Sequence, residues 1–501
     1  MPFRLFVAAA LALIAGTVNA QPAQSLDERI NAAFTPVANA ISGFIFSSVP
    51  INGTQFPLIV GWLVLAGIIF TLYFRFINFR GFTHAFRLLR GDYDDRTAPG
   101  EVTYFQGLSS AVSGTVGLGN IAGVAVAITI GGPGATFWMI LAGVLGMATK
   151  FCECTLGTKY RIEKADGTIS GGPMYYLSRG LKEQYPRLGA LGWVLAIIFA
   201  VCTMFGAIGA GGMFQANQAY AQVAGVTGGF FDDKAVLFGI IYAIAAGAVL
   251  IGGIGRIGQV TAKLVPAMAA LYILSALVVL AVHVADIPAA FMTILDGAFS
   301  AEGVAGGVLG ALIMGFRRAA FSNEAGLGSS AIAHSAIRTR EPASAGIVAL
   351  FEPFVDTVVI CTMTALVIII TGAYVGAGAD VEGVRLTSAA FATVMPWFPY
   401  LLAFLVLLFA FSTTITWGYY GAKAASFLAQ ESKGVLYGFK LFYLVMVVVG
   451  CTMQLTSIVD LADALLFIMA IPNLIGMYLL APVVKRELHG YFERVRTGTT
   501  R

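Results

Sequence analysis

Apolar residues along this chain gather in runs of about 20, the length a helix needs to cross roughly 30 Å of hydrocarbon, with polar residues confined to short stretches between them. Eleven such runs follow the first twenty residues, centred near Leu65, Gly117, Gly143, Met204, Tyr242, Leu274, Leu312, Thr362, Leu407, Met446 and Ile471. The expected fold class is an all-α polytopic membrane protein. The N-terminus departs from this rhythm. Arg4 precedes an apolar stretch from Leu5 to Gly16, and small residues Val18 and Ala20 precede Gln21, which is the pattern of a cleavable signal peptide over 1–20. A retained short helix is the alternative, although this stretch falls short of a span. Residues 21–56, with "SLDERINAAFTPVANAISGFIFSSVP", are amphipathic and too polar to cross, so they read as an extracytoplasmic segment lying on the outer surface.

Composition sharpens the solvent. Hydrophobic residues make up 58% and charged residues 11%, against about 25% charged in soluble domains. The net charge of +4 is spread over short loops, which excludes a nucleic-acid surface and leaves orientation as the use of the basic residues. With the mature N-terminus outside, 25 of the 30 Lys and Arg fall in expected cytoplasmic segments, and Arg29, Lys234 and Arg385 fall outside. That asymmetry puts the expected C-terminus on the cytoplasmic side; the expected location is a bacterial plasma (inner) membrane. The five cysteines lie scattered in apolar runs; Cys152 and Cys154 form the one close pair and read as small buried hydrophobes. No metal-ligand spacing, catalytic triad or phosphate loop appears, so an enzyme, an ATP-driven pump and a bound cofactor are not expected. No protein partner is implied beyond the lipid bilayer.

One span weakens itself. "SAVSGTVGLGNIAGVAVAITIGG", residues 110–132, carries Gly114, Gly117 and Gly119 with Asn120 beside them. Glycine reaches backbone angles other residues avoid, Asn120 can cap a helix or ligate a cation, and a broken helix offers N–H groups to an anion and carbonyls to a cation. Close helix packing through small residues is the other reading. A second span, "EGVAGGVLGALIMGFRRAAFSNEAGLG", is also interrupted by glycine, at Gly310 and Gly315. Interruptions in corresponding positions of two halves point to a transporter's midplane site.

The segments "GTVGLGNIAGVAVAITIGGPGATFWM", "GMATKFCECTLGTKYR", "FSNEAGLGSSAIAH", "EPFVDTVVICTMTALVI" and "STTITWGYYGAK" resemble signature segments of the alanine or glycine:cation symporter family, in the same order. The resemblance implies a leucine-transporter-type fold of two inverted five-helix repeats with one additional N-terminal helix. A transporter domain would then occupy 57–485, with a first span at 57–77, a repeat core over 105–482 and a cytoplasmic tail over 486–501. It further implies symport of alanine or glycine with Na⁺, H⁺ being an alternative coupling ion. By that likeness Leu118 and Gly119 amides receive the substrate carboxylate, and the Thr115 carbonyl faces its ammonium group. Gly117, Asn120, Met314, Gly315 and Thr413 join the substrate site. The carbonyls of Ser113, Val116 and Phe409 with the hydroxyls of Ser412 and Thr413 would cage Na⁺. These hydroxyls could equally bond their own helix carbonyls.

Trp417, one turn after Thr413 on the same face, would wall the cavity and keep the substrate small, or else pack or anchor. Gln215 would bond the substrate or clamp a neighbouring helix. Charges inside spans carry a functional default. Lys150 and Glu153 are expected to neutralise one another. Glu352 and Asp356 are expected either to relay a proton or cation or to pair with Arg317 or Arg318, and Glu324 is open between similar roles.

Overall fold

The structure is a computed structural model that describes residues 39–51, 53–300, 307–376, 383–453 and 463–499. The expected signal peptide lies outside the described residues, as does the segment up to residue 38.

Helices dominate because the apolar runs have no water to satisfy their backbone, so each N–H must bond within its own helix. The principal helices, in chain order, are α1 (Leu58–Tyr73), α2 (Tyr104–Thr115), α3 (Gly119–Gly131), α4 (Ala135–Lys159), α5 (Pro186–Val226), α6 (Ala235–Leu250), α7 (Gly253–Val282), α8 (Gly307–Asn323), α9 (Ser330–His334), α10 (Pro342–Ile370), α11 (Phe398–Leu428), α12 (Lys433–Thr452) and α13 (Ala470–Thr497), with shorter ones such as Phe82–Leu89, Ile287–Phe299 and Gly383–Ala392 between them. Seven of these, α4, α5, α7, α10, α11, α12 and α13, are long and apolar enough to cross a membrane. The bent pair α2–α3 makes an eighth. The other three expected crossings form shorter helices, α1, α6 and the 17-residue α8, the last of which carries Arg317 and Arg318.

The segment expected to lie on the outer surface ends in a hairpin, β1 (Ser48–Ile51) paired antiparallel with β2 (Thr54–Pro57). At the other end of the chain, α13 continues without a break to Thr497, so the expected tail is largely helical. Arg494 grips both carboxylate oxygens of Glu341, at 2.7 and 2.5 Å, and ties that extension to the body.

Burial separates core from rim. Within the apolar stretch of α4 67% of residues are buried by protein, against 33% for α12, whose Leu441 and Val445 face outward where lipid would lie. Helices approach closely through glycine: a Cβ at Gly67 of α1 would meet Leu145 of α4 at 2.9 Å, and one at Gly143 of α4 would meet Thr357 of α10 at 3.0 Å. Without a hydrophobic force between helices in lipid, such contacts supply much of the association energy.

Arg317 and Arg318, read from sequence as cytoplasmic together with Arg338 and Arg340, have different surroundings from Arg340, which pairs with Asp95. Arg317 pairs with Asp463 at 3.3 Å and lies over the Phe46 ring, beside the N-terminal hairpin.

Candidate functional site

The chain does break at the glycine-rich stretch. α2 ends at Thr115, Val116 is extended with ψ 103°, and α3 restarts at Gly119 at 54° to α2. The reason differs from the expectation. Among the described residues, left-handed angles occur at fifteen glycines, but Gly114, Gly117 and Gly119 are not among them. They serve close approach instead. A Cβ at Gly117 would sit 3.1 Å from Thr413 Oγ1, one at Gly119 3.1 Å from Ser322 Cα, and one at Gly114 3.2 Å from Thr416 Cγ2. The bare backbone lets α8 and α11 reach the break.

The second break lies further along than expected. α8 runs continuously through Gly310 and Gly315, and the chain leaves helix only at Glu324, re-entering at α9. Gly315 is a packing glycine, since a Cβ there would meet the Ala135 carbonyl oxygen at 2.5 Å. Met314 lies against Gly131 of α3. The structure therefore does not bring Met314 and Gly315 to the breaks. Ser322, at the end of α8, is the residue that meets α3 at Gly119; the break after it has left-handed backbone at Glu324, Gly326 and Gly328, and its glycines pack against Leu63 of α1 and Leu474 and Asn473 of α13.

Asn120 joins the two breaks. Its Oδ1 accepts the Gly117 N–H at 2.7 Å, closing the first break on itself. Its Nδ2 donates to Asp356 Oδ1 at 2.7 Å and to the Asp356 carbonyl at 3.0 Å. The other carboxylate oxygen of Asp356 accepts from Ser322 at 2.8 Å and from Thr357 at 2.7 Å. One buried carboxylate thus holds α3, α8 and α10 together. A link to Arg317 or Arg318 was one of the two roles expected for Asp356, but those arginines reach Asp463 instead. Glu352 is likewise held elsewhere, 2.9 Å from Lys150 Nζ; Glu153 lies at 3.5 Å, so Lys150 balances two carboxylates rather than one.

On the facing side, α11 meets α2 along a polar seam. Thr413 Oγ1 donates to the Ser113 carbonyl at 3.0 Å, and Ser412 Oγ to the same carbonyl at 3.4 Å and to the Phe409 carbonyl at 2.9 Å. Four of the five oxygens in the expected Na⁺ cage thus meet across two helices, and Val116, the fifth residue, lies at the helix end. The own-helix bonding considered from sequence describes one bond of Ser412, to Phe409, whereas the bond of Thr413 crosses to α2. Thr416 extends the seam by bonding Ser113 Oγ, a contact the sequence reading missed.

Trp417, 2% exposed, sits one turn beyond Thr413, pressed against Gly211 of α5. Its indole N–H donates to Glu324 Oε1 at 3.2 Å. Gln215 bonds the Ala210 carbonyl of its own helix at 3.2 Å, and its buried Oε1 has no hydrogen-bond partner. The interhelical clamp in this stretch is Asn217, which donates to the Gly450 and Met453 carbonyls at 3.0 and 2.7 Å. Leu118, Asn120, Ser412 and Thr413 are all buried, and Thr115 is 5% exposed, so the site is closed.

Three π-helical turns surround it: Gly119–Gly123 with Asn120, Ala207–Met213 with Gly211, and Phe354–Cys361 with Asp356. An extra residue per turn re-aims side chains and loosens the backbone ladder, which is why such turns gather at functional sites.

Two interrupted helices meeting at a closed, polar, buried centre, inside a bundle of apolar helices, define a membrane transporter rather than an enzyme. The chain belongs to the sodium:alanine symporter family, whose sequence profile matches residues 38–501. A sodium/alanine symporter of Methanococcus maripaludis, AgcS, is 38% identical over 465 residues, covering 92% of this chain and 98% of that one. A probable sodium/glutamine symporter of Bacillus subtilis, GlnT, is 34% identical over 443 residues, covering 88% and 89%. The crystal structure of MhsT in complex with L-phenylalanine is similar in fold, with a TM-score of 0.50 and 13% identity over 77% of this chain and 98% of that one.

Proposed function

We propose that this protein imports a small neutral amino acid, alanine or glycine, together with Na⁺, by alternating access to the closed centre between the two breaks. The observation that carries this reading is the meeting of Ser412 and Thr413 hydroxyls with the Ser113 carbonyl directly beside the first break. Neutral hard oxygens suit a monovalent cation, and the break next to them offers free amides and carbonyls to a zwitterion. Coupling follows because both solutes share the same strand of backbone: Ser113 faces the cation, while Thr115, Leu118 and Gly119 face the amino acid. Gln215, with its unpartnered Oε1, is available to a substrate N–H. Trp417 fills the space a longer side chain would occupy. In the membrane we place the N-terminal hairpin outside and the helical C-terminus in the cytoplasm.

The test is uptake of labelled alanine and glycine into proteoliposomes under imposed Na⁺ or H⁺ gradients. Serine, glutamine, leucine and D-alanine serve as competitors. Concentrative, Na⁺-driven uptake of alanine or glycine is expected. Uptake driven by H⁺ alone, or preference for glutamine over alanine, refutes the coupling ion or the substrate respectively.

A further inference from the structure

Glu324 opens the second break, and the transport reading above gives it no part. Its φ of +55° lies in the left-handed region, where a side chain is disfavoured. Gly326 and Gly328, which follow, take +88° and +85° at no such penalty. Glycine would suit position 324 better, so the side chain must contribute something the backbone does not need. Its carboxylate is buried and has two partners. Oε2 accepts the Ser329 hydroxyl across the break. Oε1 crosses to α11 and accepts the indole N–H of Trp417 at 3.2 Å.

The ring thus held has little freedom on its other sides. A Cβ at Gly211 would lie 2.2 Å from Trp417 Cβ, so the π-helical turn of α5 presses on the base of the side chain. Tyr420 meets the ring edge-on with centroids 5.6 Å apart. Apolar contacts of this kind limit rotation but are indifferent to which edge of the indole points where. A single directed bond fixes that edge.

We propose that Glu324 is a specificity-determining positioning residue: its carboxylate holds the Trp417 indole N–H so that the ring stays across the substrate cavity and excludes side chains larger than alanine's. The proposal rests on the reading of Trp417 as the cavity wall.

The test measures inhibition of labelled alanine uptake by valine and leucine in proteoliposomes carrying single and double variants. Glu324→Gly removes the carboxylate and suits the backbone angle; it is expected to lower the half-inhibitory valine concentration at least tenfold. Trp417→Phe keeps a ring, removes the N–H, and should admit valine to a similar degree, which keeps the proposal testable if the glycine variant does not fold. Glu324→Gly in the Trp417→Phe background should add no further change. Glu324→Gln, which retains an acceptor oxygen, should exclude valine as the parent does.

Loss of alanine uptake in Glu324→Gly at an unchanged ratio of valine to alanine affinity would mark a merely structural role and overturn the proposal. Valine exclusion preserved in both Glu324→Gly and Trp417→Phe, while Trp417→Ala admits valine, overturns the positioning role and leaves the wall standing. Valine exclusion preserved in Trp417→Ala removes the wall itself, and with it any part for Glu324 in selectivity.

Discussion

Truncating Asn120 to alanine should uncouple the two breaks. The side chain makes four hydrogen bonds: from the Gly117 N–H at 2.7 Å, and to Asp356 Oδ1, the Asp356 carbonyl and Cys361 Sγ at 2.7, 3.0 and 3.3 Å. Asn120 is 1% exposed, so water is not at hand to replace them. Losing one partner leaves a buried group unsatisfied at about 1–3 kcal/mol, and more for a charged one. Asp356 keeps Ser322 and Thr357, which limits its loss, so about 3 kcal/mol in total is a fair sum. If the closed break is the state that binds substrate, that corresponds to about a hundredfold in half-saturation. The assay is initial-rate uptake of labelled alanine in proteoliposomes over a range of concentrations, with purified protein checked for a single monodisperse species. Asn120→Asp should be worse still, because it sets a second carboxylate against Asp356. Adding Asp356→Asn to that variant restores one donor and one acceptor, and should recover part of the uptake. Parental half-saturation in Asn120→Ala would refute the bridge, as would a double variant no better than Asn120→Asp alone.

Three further outcomes follow from other contacts. Thr413→Val removes a hydroxyl that meets the Ser113 carbonyl while keeping shape; at about 1 kcal/mol per neutral hydrogen-bonding group, the Na⁺ concentration for half-maximal uptake should rise about fivefold, and an unchanged value moves the cation elsewhere. Lys150→Met strands Glu352 and Glu153 in the core at a cost of about 3–5 kcal/mol, seen as a lower melting temperature in detergent, and adding Glu352→Gln should restore part of it; strictly additive losses contradict the pairing. Gly211→Ala places a methyl 2.2 Å from Trp417 Cβ, so α5 or the ring must shift and alanine uptake should fall severalfold; parental kinetics would show that this contact is not tight in the working protein.

Hydropathy located the helices well because a lipid-facing element must be apolar along its length, whatever its neighbours are. It also flagged the first break, although through a property the glycines do not use there: Gly117 and Gly119 are needed for the approach of Thr413 and Ser322, not for unusual angles. The second break escaped for the converse reason. It begins at Glu324, a residue that carries no expectation of left-handed backbone, while the conspicuous Gly315 sits in continuous helix as a packing contact. Pairing of charges held within one helix, for Lys150 with Glu153, and missed the partner that lies on a distant segment. Arg317 was a candidate partner for Glu352 and Asp356 as a charge inside a neighbouring span, yet its partner is Asp463, 146 positions away.

The deeper obstacle is register. A helix read at 3.6 residues per turn assigns each side chain a face, and each π-helical turn shifts every later face by one residue. Asn120, Gly211 and Asp356 all lie in such turns. The faces that converge on the site are therefore those for which regular periodicity gives the wrong direction, whereas Thr413 and Trp417, on the regular helix α11, were placed on one face correctly from spacing alone. An interrupted ladder has fewer bonds to break when a helix moves, and Asn120 takes up two of the backbone groups at these turns, the Gly117 N–H and the Asp356 carbonyl.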